Sequence, residues 1–370
     1  MEVKIEMRKL ASIKTISDIQ PIVGKDRIEL AIVDGWQVIV KKNEYKIGDK
    51  TIFVEIDSVL PDKPEFEFLK KNKFRIKTMK LSGVLSQGIC FPLSILPQDK
   101  EYNIEDDVTE IIGIKQYEAT RDIETESLSN EDNKKFQHPI YKILFRYSIF
   151  RKLLLPKKQN KGFPEFIHKT DETRIQNIPN ILKNKDVKYI VREKVDGQSG
   201  TFFLKKLNKK WFWQKQSYDF GVCSRNMRLW NEGNSSYWFV AKKYNIKAVL
   251  EDLIGDAKFV AIQGECVAPN VQGNKYKVTE PDLYVFNLIY PDGKVNCLDA
   301  EDILNQYNIK WCPFIAKDFV LPDTVNEMLD FATGKSALYN TLREGCVLRN
   351  YEKNISFKAV SPEFLIKNDE

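Results

Sequence analysis

Residues 189–197 read Tyr189-Ile190-Val191-Arg192-Glu193-Lys194-Val195-Asp196-Gly197, a β-rich run that ends in an Asp-Gly turn. Strand alternation sets Ile190, Arg192 and Lys194 on one face. A lysine at the mouth of such a turn can lean into a pocket, and the glycine lets the backbone approach a ligand closely. Taken alone, KxDG is a common tetrapeptide whose ordinary reading is a solvated turn. The chain even carries a twin without the lysine, Ile32-Val33-Asp34-Gly35, which reads as a plain hairpin turn.

What separates Lys194 from that twin is the order of the fragments that follow it. Ser224-Arg225-Asn226 comes first, then Gln263-Gly264-Glu265 at the end of an apolar strand, then the buried-looking strand Tyr284-Val285-Phe286-Asn287-Leu288. Glu344-Gly345-Cys346-Val347-Leu348-Arg349 and Ser356-Phe357-Lys358 close the series. Singly, Glu265 is an ordinary strand-end charge, Phe286 an ordinary core residue and Arg225 an ordinary surface cation. Their order along one chain carries the reading.

Working outward, the first hundred residues form short β-rich runs separated by turns: Arg27 to Val33, Trp36 to Val40, Thr51 to Asp57 and Lys73 to Leu81. Strands at that spacing without a long helix predict a small closed barrel. From Glu118 to Lys135 polar residues dominate and periodicity is lost, which predicts a linker. Pro139 to Leu155 reads as a packed helix, too short and too charged to span a bilayer, followed by the basic patch Lys157, Lys158 and Lys161. Beyond Lys188 strands again prevail, with helices expected over Ser236 to Leu253, Ala300 to Tyr307 and Thr324 to Ala332, the last stopped by Gly334. Strands that do not alternate with helices predict an α+β fold with antiparallel sheets. The expected domains are 1–117 (an OB-like barrel that binds nucleic acid), 118–135 (linker) and 136–370 (the chemistry).

Composition removes several classes of chemistry. Two histidines, His138 and His168, leave little room for histidine metal sites or Ser–His–Asp catalysis, so a metal here is expected to be a hard ion on carboxylates, phosphates and water. Six widely spaced cysteines without a CxxC pair predict reduced, buried thiols. A net charge of +6 permits a polyanionic partner without requiring one. The N-terminal stretch has no apolar core of signal-peptide length, so the expectation is a cytoplasmic protein with no membrane partner. In the barrel, Lys73, Arg75 and Lys77 alternate along the expected strand and would line backbone phosphates; the rival reading is a lysine-protected edge. Trp211, Phe212 and Trp213 are read as sheet packing and not as a base-stacking surface.

In this order the fragments resemble the covalent nucleotidyltransferase superfamily of polynucleotide ligases and mRNA-capping enzymes, over about Phe163 to Lys367. The resemblance is closest to ATP-dependent RNA ligases with an N-terminal OB-type barrel. DRIELAIVDGWQVIVKK, GDKTIFVEIDSVLP, FRIKTMKLSGVLSQGICFPL and FPEFIHKTDETRIQN extend it over nearly the whole chain. Twelve residues follow Lys358, which points away from DNA ligases and capping enzymes with their C-terminal OB domain. The resemblance implies ATP with Mg²⁺ (or Mn²⁺), and RNA or a nicked RNA/DNA duplex as partner, with an end-healing kinase or phosphatase as a second partner. It makes Lys194 the nucleophile and gives Glu193, Asp196, Gly197, Arg225 and Phe286 to ATP, with Phe286 stacking on adenine. Asp196, Glu265 and Glu344 would orient the ribose or hydrated metal, and Lys358 would contact the α-phosphate. Arg174 and Gln176 (with Asn177) would touch RNA or nucleotide. In many relatives a second lysine stands where this chain has Ser356. The competing readings are a nucleic-acid-binding protein with a degenerate site, and a DNA ligase or capping-type enzyme.

Overall fold

The computed structural model describes residues 9–81, 83–117, 162–169, 171–209, 211, 213–233 and 235–368. The expected linker at 118–135, the helix at 139–155, the patch Lys157, Lys158 and Lys161, and Phe212 lie outside the described residues. The chain divides into two compact units, Met1–Ala119 with Asp171–Lys194 and Pro313–Glu370, and Thr120–Thr170 with Val195–Cys312. The division falls between Lys194 and Val195, inside the motif itself.

The first unit begins with the strands β1 (Ala11–Pro21), β2 (Ile28–Val33), β3 (Trp36–Lys41) and β4 (Lys50–Val54), then the hairpin β5 (Thr78–Leu81) and β6 (Val84–Gln87), and β7 (Ile89–Phe91). The order β3-β2-β1-β4-β7 is antiparallel throughout, and the Ile39 N–H on β3 donates to the Ser86 hydroxyl on β6 at 3.1 Å, bringing the sheet nearly to a barrel. Inward-pointing residues at period two, Ile13, Val38, Ile52 and Val54 among them, fill it together with Trp36 and Phe66. Burying each such side chain contributes about 1.5–3 kcal/mol.

Later strands are β8 (Lys188–Lys194), β9 (Gln198–Lys206), β10 (Tyr218–Cys223), β11 (Phe259–Val267), β12 (Asp282–Tyr290), β13 (Phe314–Val320), β14 (Gly345–Asn350) and β15 (Ile355–Val360). The longer α-helices among the described residues are α1 (Ser236–Lys243), α2 (Ile246–Leu253), α3 (Cys297–Asn305), α4 (Val325–Ala332) and α5 (Pro362–Lys367). In the first unit the short strand Thr173–Arg174 joins β15-β14-β8-β13, and only its pairing with β15 is parallel. In the second unit Arg228–Leu229, β10, β9, β11, β12 and Gly293–Lys294 form an antiparallel sheet. The α+β expectation with antiparallel sheets holds.

Three local expectations need correction. Lys73 to Leu81 is not one strand: Pro64–Asn72 is a 3₁₀ stretch, Lys73 and Phe74 have φ of 53° and 59°, and pairing as a strand starts at Thr78. The helix over Ser236 to Leu253 is two, broken at Asn245, whose φ of 48° suits an asparagine. Gly334 does not cap α4, which ends at the extended Thr333; its start is the Thr324–Glu327 capping box.

The Asp34-Gly35 turn is more than a plain hairpin. Its Gly35 N–H donates to the Gln176 carbonyl at 2.9 Å, and the neighbouring Trp36 indole N–H donates to Asn177 Oδ1 at 2.6 Å. Asn177 in turn donates to Glu55 at 2.8 Å. From the other end of the chain, Val360, Phe364 and Leu365 enter the barrel's core. The barrel and the β8 sheet are therefore stitched by part-buried hydrogen bonds and shared apolar packing. All six cysteines are free and buried, and burial pushes the thiols of Cys90, Cys223 and Cys346 up to about 12. No described helix is long and apolar enough to cross a membrane.

Candidate active site

On β8, Tyr189 and Val191 enter the apolar core beneath the sheet with Leu348, Phe357 and Met328, which leaves Ile190, Arg192 and Lys194 on the opposite face. Register fixes what stands beside them. Ile190, Arg192 and Lys194 pair across to Arg349, Val347 and Gly345, and those to Ser356, Lys358 and Val360. Arg174 pairs with Lys358 from the far side. One sheet face thus carries Arg174, Lys358, Arg192, Arg349 and Lys194.

Lys194 Nζ lies 2.5 Å from Glu344 Oε2, with side chains 27% and 12% exposed. Next to Glu344, Gly345 lets β14 and β15 lie close together, because a Cβ there would stand 2.2 Å from the Ala359 carbonyl oxygen and force the two strands apart. Glu193, on the other face, is 2% exposed. Its carboxylate accepts from the Ser336 hydroxyl at 2.5 Å and the Ala337 N–H at 2.9 Å. Burial raises its pKa against those bonds. The Glu193 side chain ties the segment leading into Glu344 to the strand that ends in Lys194.

Lys358 Nζ pairs with Asp171 at 2.9 Å. Burial, with the charges of Arg174 and Lys194, pushes the Lys358 ammonium down to about 8 against the pull of Asp171. Ser356, two residues earlier on the same strand, has a buried hydroxyl with no hydrogen-bond partner among the described residues. Directly across from it is Arg349, 8% exposed and bonded to Glu172 at 3.0 Å.

In the second unit, the Asp196 N–H donates to the Tyr276 hydroxyl at 2.8 Å and its carboxylate pairs with Lys275 at 2.6 Å. A Cβ on Gly197 would stand 2.5 Å from the Cys266 carbonyl oxygen and 3.0 Å from Glu265 Cγ, so only glycine lets this turn lie against Glu265. Phe286 sits at an irregularity: Gln263 pairs with Asn287 and Gly264 with Val285, which leaves Phe286 as the extra residue of a bulge. Bulges re-aim a side chain, and this one is held by the 2.8 Å bonds of Val285 to the Lys310 carbonyl and Cys312 N–H. Beneath it, Asn287 donates to Gln263 at 2.8 Å and Gln263 to the His168 carbonyl at 3.0 Å. Arg225 is half-buried on the turn closed by the 2.9 Å bond from the Ser224 N–H to the Met227 carbonyl.

Each unit thus gathers part of the constellation: Lys194, Glu344 and Lys358 with Arg174 in the first, Asp196, Gly197 and Glu265 in the second. Lys275 and Tyr276 went unread in the sequence, since they lie in an irregular connection without periodicity. The remaining nucleic-acid candidates fall in the first unit's framework. Arg75 is 8% exposed and stacks 3.4 Å over the Tyr117 ring. Asp57 binds the Arg174 guanidinium at 2.9 Å and lies 3.9 Å from Arg75. Gln176 is 1% exposed and donates to Gln87. Lys73 is exposed and Lys77 half-buried. The alternating cationic face expected at residues 73–77 is absent, because Arg75 turns inward to an aspartate.

Among the described residues no group of three Asp, Glu, His or Cys side chains could hold a metal. The donors are single carboxylates, of which Asp196 and Glu344 are each met by a lysine. Such a set suits a hard divalent ion held by one or two carboxylates, water and phosphate oxygens.

Known proteins match along both parts of the chain. The OB-fold domain family matches residues 10–93 and the RNA ligase family residues 187–365. Among solved structures, the Naegleria gruberi RNA ligase with PPi is 30% identical, with a TM-score of 0.78, covering 98% of this chain and 99% of its own. A mutant of that ligase with ATP and Mn is 30% identical with a TM-score of 0.78, covering 98% and 100%. Another with AMP and Mn is 31% identical with a TM-score of 0.78, covering 97% and 99%. No curated protein sequence matches. With the two family matches in sequence order and 30% identity over nearly the full length of a solved relative, this chain belongs to the RNA ligase family.

Proposed function

We propose that this chain is an ATP- and divalent-metal-dependent RNA ligase in which Lys194 takes up AMP covalently. The observation that carries this is the Lys194–Glu344 pair at 2.5 Å on a sheet face that also bears Lys358. To attack, the Lys194 amine must shed a proton, and Glu344 is a carboxylate within reach to accept it. Lys194 Nζ then bonds to the ATP α-phosphorus while the bond to pyrophosphate breaks. A 5′-phosphate oxygen next displaces the lysine and takes the AMP. Finally a 3′-OH attacks that 5′-phosphorus, the phosphodiester forms and AMP leaves. Lys358 and Arg174 meet the charge on the transferring phosphate. Asp196, Glu265 and Glu344 would each orient water on a phosphate-bound Mg²⁺ or Mn²⁺, and the ion would neutralise phosphate charge. Phe286 would stack on adenine, its bulge setting the ring's aim.

The substrate we infer is a nick in duplex RNA or an RNA-containing duplex, prepared by an end-healing kinase or phosphatase. Residues 1–117 would engage nucleic acid and 136–370 carry the adenylyl transfer, in the cytoplasm, where six free cysteines stay reduced. The decisive test incubates the protein with α-labelled ATP or GTP and Mg²⁺. Label from ATP that Lys194→Ala abolishes supports the ligase. No label at all supports a degenerate binding protein, and label from GTP alone a capping-type enzyme. Nicked duplexes with ribose or deoxyribose on each side of the break then separate RNA from DNA joining.

A further inference from the structure

The loop joining β9 to β10 has no part in the chemistry above. Its neck is closed by the Leu207 N–H to the Ser217 carbonyl at 2.9 Å and by the Gln216 amide, which donates to the carbonyls of Leu207 and Ser217. At its tip the Gln214 N–H returns to the Trp211 carbonyl at 3.1 Å, making a tight turn. That turn sets the Trp211 and Trp213 rings parallel, 10° apart in plane and 5.3 Å between centroids. Contrary to the sheet-packing expectation, they are 62% and 67% exposed.

Two stacked indoles exposed to water are an interaction surface. Their surroundings select its partner. From Lys205 to Ser217 the sequence has five lysines and no acidic residue. Lys205 covers the Phe166 ring and Lys206 holds the Gly255 carbonyl, while Lys209 and Lys215 are exposed beside the tryptophans. Flat aromatic surface flanked by cations matches bases on a phosphate backbone, since every base has a π-face.

We propose that Trp211 and Trp213 are a stacking platform for unpaired bases of the RNA substrate, with Lys209 and Lys215 on the adjoining phosphates. The choice of RNA rests on the ligase reading. The test measures affinity of the full chain for a nicked RNA duplex bearing a short single-stranded extension, alongside self-labelling by α-labelled ATP. W211A/W213A is expected to bind about tenfold or more weakly, within the range of base–aromatic stacking. Its labelling and Tm should match wild type. W211F/W213F should recover most of the affinity, and K209A/K215A should flatten the salt dependence by about 1.4 in log–log slope. Unchanged RNA affinity in W211A/W213A overturns the platform, as does Trp-dependent binding of phosphatidylserine vesicles without an RNA effect. A wild-type protein that ATP does not label defeats the ligase reading instead, and the platform is then decided by RNA affinity alone.

Discussion

Lys358→Met should make this protein more stable at neutral pH while abolishing its labelling by ATP. In the folded chain the Lys358 ammonium titrates at about 8, against an ordinary 10.5. A buried base pushed down in this way costs folding free energy wherever it is charged. The penalty is fully present below about 8, fades as pH rises toward 10.5, and is absent above that. Its size is about 3 kcal/mol. Methionine fills nearly the same volume without the charge, and the partner left behind, Asp171, is 43% exposed and rehydrates at little cost. For a chain of this length about 3 kcal/mol corresponds to a rise of about 4 °C in Tm. Melts of wild type and variant run in parallel between pH 7 and pH 10 cancel the titration of the buried thiols and tyrosines common to both. The gap should be widest at pH 7 and close by about pH 10. A variant less stable than wild type at pH 7, or a gap of constant size across that range, would refute the reasoning.

Three other substitutions separate framework from chemistry. Asn177→Ala leaves the Trp36 indole N–H without its acceptor and removes the bond to Glu55, so stability should fall by about 2 kcal/mol in denaturant melts with ATP labelling retained. Gly197→Ala drives a methyl against the Cys266 carbonyl; the chain should fold, and labelling by ATP should drop at least tenfold in single-turnover assays. Ser356→Ala removes a buried hydroxyl that bonds to nothing described, so Tm should hold or rise slightly and the labelling rate should stay as it is.

The difference between what was legible in the sequence and what was not follows the range of the interactions. Helix α4 could be read because Thr324 and Glu327 cap it within one turn, and β2 and β3 because Asp34-Gly35 joins them directly. Lys194, Glu344 and Lys358 could be read as one constellation because their fragments stand in a fixed order. Their adjacency depends on the register of β8, β14 and β15, which no local signal sets. Residues 73–77 failed for the same reason: alternation of Lys73, Arg75 and Lys77 looks like a strand face, but Arg75 is claimed by Asp57 and Tyr117, neither of them a near neighbour in the chain. The tryptophans of the β9–β10 loop were misread because alternation is the same for a packed strand and for a turn that stacks its first and third residues.

Ser356 is best understood on the same grounds. As a sequence feature it is a missing second lysine beside Lys358. In register it faces Arg349, and the strand beyond Lys358 supplies Arg174. The sheet face therefore already holds five cations against the nearby Glu344, Glu172 and Asp171. A further ammonium at position 356 would stand beside Lys358, whose charge is already disfavoured by burial and by Arg174 and Lys194. It would push Lys358 further toward the neutral form, weakening the cation that meets the phosphate. A serine at 356 is thus compatible with a working site, because it leaves Lys358 enough of its charge to do that work.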